Sequence, residues 1–192
     1  FVYDDAMLAV QRPGGLAAGR VWAYRSSSVE VSAGQVGTVY SLDQAHLTVM
    51  GSGAPNYVRA YDTSRVDVVG GAVTYILEAE NNSTVTIRGG NIEEAYARAD
   101  SSIVMAGGSV SILRCYGTSE TEISGGTVSI LKAQDTSAIA VVGYGFRTTG
   151  GLVLDGQEVT GTGVLSGIWF DSDTPFSILI NLHDPGATIR AV

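Results

Sequence analysis

The stretch "STVTIRGGNIEEAYARAD", residues 83–100, reads as a short strand, a Gly-Gly and then renewed alternation of apolar and other residues. Nearly the same phrase returns as "SETEISGGTVSILKAQDT", residues 119–136. The position two after the opening Ser serves as an anchor. It is filled in turn by Val29, Leu47, Val66, Val85, Ile103, Thr121 and Ile139, at separations of 18, 19, 19, 18, 18 and 18 residues. Self-similarity at a fixed short period is the mark of a stacked repeat architecture.

Columns around the anchor hold the register. Two before it stand Ser27, Ala45, Ser64, Ser83, Ser101, Ser119 and Ser137; two after stand Val31, Val49, Val68, Ile87, Met105, Ile123 and Val141. Gly or Ala follows at four after, and an apolar set at seven after: Val36, Ala54, Val73, Ile92, Val110, Val128 and Phe146. Eight before are Val21, Val39, Val58, Leu77, Ala95, Leu113 and Leu131; six before are Ala23, Ser41, Ala60, Ala79, Ala97, Cys115 and Ala133. Each repeat thus carries three short apolar stretches separated by turn residues. A strand of three or four residues cannot bury its own inner face, but stacking repeat on repeat lays like over like. The spacing therefore predicts an all-β fold, a single-stranded parallel β-solenoid (β-helix) with 18–19-residue coils. Seven coils at about 4.8 Å each give a rod of roughly 30 Å. Right-handed winding is favoured, because the inward columns lack a strict hexapeptide rhythm. The expected organisation is a solenoid over 1–146, with an irregular first coil over 1–20 using Leu8, Val10, Gly14 and Gly15. A small C-terminal β cap over 147–192 would protect the open end.

Composition agrees. Of 192 residues, 45% are hydrophobic, only 16% charged, and 25 are Gly, which fits a turn-rich β chain and excludes a disordered one. A net charge of −8 argues against nucleic acid or an anionic membrane as partner. No apolar run reaches about 18 residues, so no membrane insertion is expected. The single Cys cannot form an internal disulfide.

The columns absorb several residues that look chemical in isolation. Cys115 falls in a small inward column and reads as a buried space-filler. The Ser column reads as a hydrogen-bonding ladder, and the Gly pairs as corners, not phosphate loops. Asp43, Asp62, Asn81 and Asp135 share a corner column, with Asp100 one place along, where Asp and Asn suit turn chemistry. His46 and the distant His183 make no metal signature, and no cofactor is expected.

The phrases "VEVSAGQV", "VTIRGGNI", "TEISGGTV" and "IAVVGYGF", followed by "LDGQEVTGTGVLSGIWFDSDTPFSILI", resemble bacterial extracellular repeat proteins. Proteins of that kind often carry a C-terminal sorting signal of the PEP-CTERM type. The resemblance covers about residues 29–180. It implies an exported β-helix, extracellular or at the cell surface, and brings no catalytic residues with it.

Function then rests on outward columns. Seven before the anchor are Trp22, Tyr40, Arg59, Glu78, Tyr96, Arg114 and Lys132; five before are Tyr24, Leu42, Tyr61, Glu80, Arg98, Tyr116 and Gln134. Aromatic rings and Arg/Glu pairs on one flat face can recognise a polysaccharide, and Glu78 with Glu80 could act as acid and base beside Arg98 and Arg114. The same residues also suit plain cross-strand pairing, Arg59 with Glu78 and Glu80 with Arg98, which is the favoured reading. The leading expectation is a non-catalytic exported structural, surface or adhesion solenoid, with itself as one candidate partner. The alternative is a protein that binds or cleaves an extracellular polysaccharide on the Tyr/Arg/Glu face.

Overall fold

The computed structural model describes residues 1–182, 184 and 186–192, without the side chains of residues 12–18 and 182. The expectation placed on His183 lies outside the described residues, while Gly14 and Gly15 fall within the strand Met7–Ala23. Among the described residues there are strands and turns and no helix.

The chain winds into a parallel β-solenoid of three walls. The anchor strands make the first wall, which stacks residues 7–10, 28–31, 46–49, 65–68, 84–87, 102–105, 120–123, 138–141 and finally 188–191, every neighbour parallel. Val29, Leu47, Val66, Val85, Ile103, Thr121 and Ile139 lie rung over rung in that register. The third wall stacks 20–23, 38–41, 57–60, 76–79, 94–97, 112–115 and 130–133 in the same sense. The second wall is a shorter ladder that includes Val36, Val73, Ile92, Val110 and Val128.

Inward columns are closed to solvent. Val31, Val49, Val68, Ile87, Met105 and Ile123 are all fully buried, as are Leu77, Leu113 and Leu131. Each such side chain gains roughly 1.5–3 kcal/mol from leaving water. No single coil could collect that gain alone. In the second wall one inward assignment is corrected: Val36 pairs with Pro55, and Pro55 is buried while Ala54 is half-exposed. The extra residue of that 19-residue coil falls before the strand, displacing the column by one. Phe146 is a second correction. It stands on no parallel rung but in Gly143–Gly150, which runs antiparallel to Thr162–Trp169.

Corners repeat as faithfully as walls. The residue four before each anchor is left-handed: Arg25, Asp43, Asp62, Asn81, Ala99, Gly117 and Asp135 all have φ between 51° and 63°. Asp and Asn tolerate that conformation better than other side chains. The carboxylates also link the coils. The Arg25 amide donates to Asp43, the Asp43 amide to Asp62, the Gly117 amide to Asp135 and the Asp135 amide to Asp184. The Ser ladder is buried and works in two directions. Ser83 Oγ accepts from the Glu80 amide at 2.9 Å and donates to the Ala60 carbonyl of the preceding coil at 3.1 Å. Ser64 and Ser101 repeat the pattern. Where the column holds Ala45, the hydroxyl of Ser41 donates to its carbonyl instead.

Cys115 is fully buried, as its column implies. Its Sγ lies 3.2 Å from Oγ1 of Thr121, the one hydroxyl in the anchor column, so these two buried groups satisfy each other. Burial pushes the thiol up to about 12, which leaves it without thiolate character.

The end after Ile139 is closed by strands that rejoin the walls. Pro175–Leu182 lies parallel on 130–133 as a last rung of the third wall, and Thr188–Ala191 lies on Ala138–Val141 as a last rung of the first. Antiparallel strands then cover both edges. Thr162–Trp169 and Gly143–Gly150 extend the third wall, and the hairpin of Glu158–Thr160 and Val153–Asp155 extends the first. Trp169 plugs the core: it is buried, its ring stacks on Phe176 at 4.0 Å, and Nε1–H donates to the Gly126 carbonyl at 3.0 Å.

Candidate functional site

The outer face of the third wall carries the residues singled out by sequence. Strand alternation around the inward pair, such as Leu77 and Ala79, sends Glu78 and its column outward. The described structure adds a third outward column that sequence reasoning missed: Thr38, Tyr57, Ile76, Glu94, Ile112 and Ile130. All of these are half-buried. The signal was available, since the residue before each inward position eight before the anchor must also face out.

At the start of the face the aromatic residues stack on each other. The ring centroids of Trp22 and Tyr40 are 3.8 Å apart with an interplanar angle of 8°, and those of Tyr3 and Tyr24 are 4.9 Å apart, also at 8°. Phe1 packs beside Trp22, and Val2 forms a parallel bridge to Ala23, which brings Phe1 and Tyr3 onto the same face.

The middle of the face is a charge network. Glu78 sits between two guanidiniums, with Arg98 Nε 2.8 Å and Arg59 Nε 3.4 Å from its carboxylate oxygens. The pairing of Arg59 with Glu78 is as expected. The pairing of Arg98 with Glu80 is corrected: Arg98 reaches diagonally to Glu78, and Glu80 forms no ion pair among the described residues. A long guanidinium can span the diagonal of a sheet, which a column pattern does not encode. The missed Glu94 takes Arg114 at 3.5 Å and accepts a hydrogen bond from the Tyr96 hydroxyl. Arg98 also lies over the rings of Tyr96 and Tyr116, at 5.0 and 5.1 Å from their centroids, and Arg114 lies 5.5 Å from that of Tyr96. Lys132 follows Arg114 in the ladder and pairs in register with Asn181, so two cations adjoin with no carboxylate between them.

The network fixes protonation. Burial pushes the Tyr96 phenol up, and its hydrogen bond to Glu94 adds to the shift. Burial likewise raises Tyr61, with Arg59 pulling it partly back. Burial opposes the charge on Arg59, but Glu78 and Tyr61 outweigh it and the pKa is raised. For Arg114 burial is again outweighed, by Tyr116, Tyr96 and Glu94. These phenols are therefore neutral donors and these guanidiniums cations throughout the neutral range.

Two further features lie on the outer face of the first wall. His46 Nε2 is 2.9 Å from Asp67, which also takes Arg88 at 2.9 Å. His46 thus opens its first-wall strand and shares Asp67 with Arg88. A depression of about 440 Å³ lies over Ala138 and Ala140, flanked by Glu120 and Glu122 on one side and Thr188 and Arg190 on the other. Among the described residues no group of three His, Cys, Asp or Glu could hold a metal ion.

The chain matches no family model, no curated protein and no solved structure.

Proposed function

We propose that this chain is a non-catalytic structural solenoid, exported to serve in a cell-surface or matrix layer or in adhesion. The observation that supports this reading best is that the rings and charges of the third-wall face are largely paired with one another. A sugar-binding platform presents free ring faces, but here Trp22 covers Tyr40, Tyr24 covers Tyr3, and guanidiniums lie over Tyr96 and Tyr116. A catalytic acid or base must turn its carboxyl toward a substrate, but the Glu78 carboxylate is occupied by two arginines. The likeness of the repeats to exported bacterial β-helix proteins favours a place outside the cell.

Two assays test the reading. Purified chain incubated with a panel of acidic and neutral polysaccharides is expected to release no new chain ends and to bind no glycan on an array. An antibody raised against the chain is expected to label intact source cells or their matrix. Depolymerisation abolished by Glu80→Gln would overturn the reading in favour of an enzyme. Glycan binding abolished by Tyr61→Ala with Tyr116→Ala would overturn it in favour of recognition, and a chain confined to the cytosol would remove the export.

A further inference from the structure

Charge on this molecule is sorted by face. On the outer side of the third wall stand Arg20, Arg59, Arg98, Arg114 and Lys132 against Glu78, Glu80 and Glu94, so that face is net positive on a chain of net charge −8. The corner that follows the third wall is the reverse. Asp5, Asp43, Asp62, Asp100 and Asp135 are all exposed there, and Arg25 is a cation already paired with Asp4 at 2.7 Å. Asp62 and Asp135 each give one carboxylate oxygen to the amide ladder, through Oδ2.

We propose that copies of this chain associate side by side, the cationic face of the third wall of one copy seating on the acidic corner of the next. The proposal rests on the structural reading above and names its partner as a second copy. Two observations carry it. The surfaces are complementary in charge, which steers encounter and sets register. Both also run along the coils at the same spacing of about 4.8 Å, so copies laid in parallel set Arg59, Arg98 and Lys132 at the heights of Asp62, Asp100 and Asp135. Tyr57, Ile76, Ile112 and Ile130, half-exposed beside the cations, supply apolar area to the same contact. A strip of about seven rungs and three columns covers roughly 450 Å² on each partner. The total of about 900 Å² is at the low end for specific contacts, so the association is weak and salt-sensitive. A face seated on a corner is a heterologous contact. It does not close at two copies and grows into rows or layers.

Sedimentation velocity over a concentration series tests this. At about 10 mM salt, where charges act over roughly 30 Å, the mean sedimentation coefficient is expected to rise with concentration past that of a dimer; at about 1 M salt the chain should return to monomer. Arg20→Glu with Lys132→Glu reverses two cations that form no ion pair within the described chain, and is expected to weaken association at least tenfold. Asp62→Asn with Asp135→Asn keeps the left-handed corners and their acceptor oxygens, and should weaken it as well. A monomer at every concentration in low salt, association indifferent to salt or to both double variants, or growth that stops at a dimer would overturn the proposal. A monomer found on the cell surface would leave the structural role standing.

Discussion

Gly90→Ala is expected to destabilise the chain by about 3 kcal/mol, lowering Tm by roughly 6–12 °C for a protein of this size. Gly90 has φ of 83°, and a Cβ there would lie 2.8 Å from the carbonyl oxygens of both Gly70 and Gly71 in the preceding coil. Those oxygens belong to backbone, so relief requires the coils to part. Parting them stretches the bond from the Asn91 amide to the Gly71 carbonyl, now 3.0 Å, and reaches the burial of Ile92 beside it. Gly156→Ala is the control. Its φ is 59°, but nothing lies within 4 Å of the added methyl, so only the conformational cost of about 1–2 kcal/mol applies. Thermal melts of the two variants side by side separate backbone strain from coil contact. Equal shifts would show that the coils approach less closely at Gly90 than the structure has them.

Trp169→Ala is expected to cost about 3–5 kcal/mol, the range for removing a large buried aromatic side chain, and to lower Tm by roughly 6–20 °C. The substitution empties the space against Phe176 and leaves the Gly126 carbonyl without its indole donor. Trp169→Phe refills much of the space but not the hydrogen bond, so its cost should be intermediate. The chain has two Trp, and Trp22 is half-exposed, so the blue-shifted part of the emission belongs to Trp169 and should vanish in either variant. Loss of the plug also loosens the strands that cover the last rungs. Bare strand edges recruit other chains, so the Ala variant should aggregate on heating sooner than its Tm alone implies. A Trp169→Ala melt within 2 °C of the parent would mean that the cap does not hold the end of the core.

Much of the solenoid was legible because stacking repeats one physical demand seven times. Val85, Ile87 and Ile92 point inward for the same reason as their column-mates, and no long-range information is needed to see it. The corner Asp and buried Ser columns were readable on the same ground, since each meets a local backbone requirement in every coil. Legibility failed where that demand was met elsewhere. Ala54 and Pro55 are both small enough for the second wall, so sequence alone did not say which of them fills it. The last rung of the third wall is harder. "SIL" at 177–179 copies "SIL" at 129–131, and that match would send Leu179 inward. The register instead sets Leu179 on Ile130 and buries Ile180, leaving Leu179 41% exposed. A slip of one residue exchanges the faces of a strand, and here the antiparallel neighbour Thr162–Trp169 shares in fixing the register. On the candidate face the columns were right and the contacts only partly so. Long side chains such as Arg98 choose partners by reach, and Glu94 lay in a column to which the repeat pattern had assigned no face.

The charges of the third-wall face are paired with one another. A double-mutant cycle on Glu78→Gln and Arg98→Met, read from denaturant unfolding, tests this pairing most directly. Arg98 is 42% exposed and solvent screens the pair, so a favourable coupling of about 0.5–1 kcal/mol between the two positions is the expected result. Single effects that simply add, with no coupling beyond error, would contradict the pairing and return the face to the pool of surfaces kept open for a ligand.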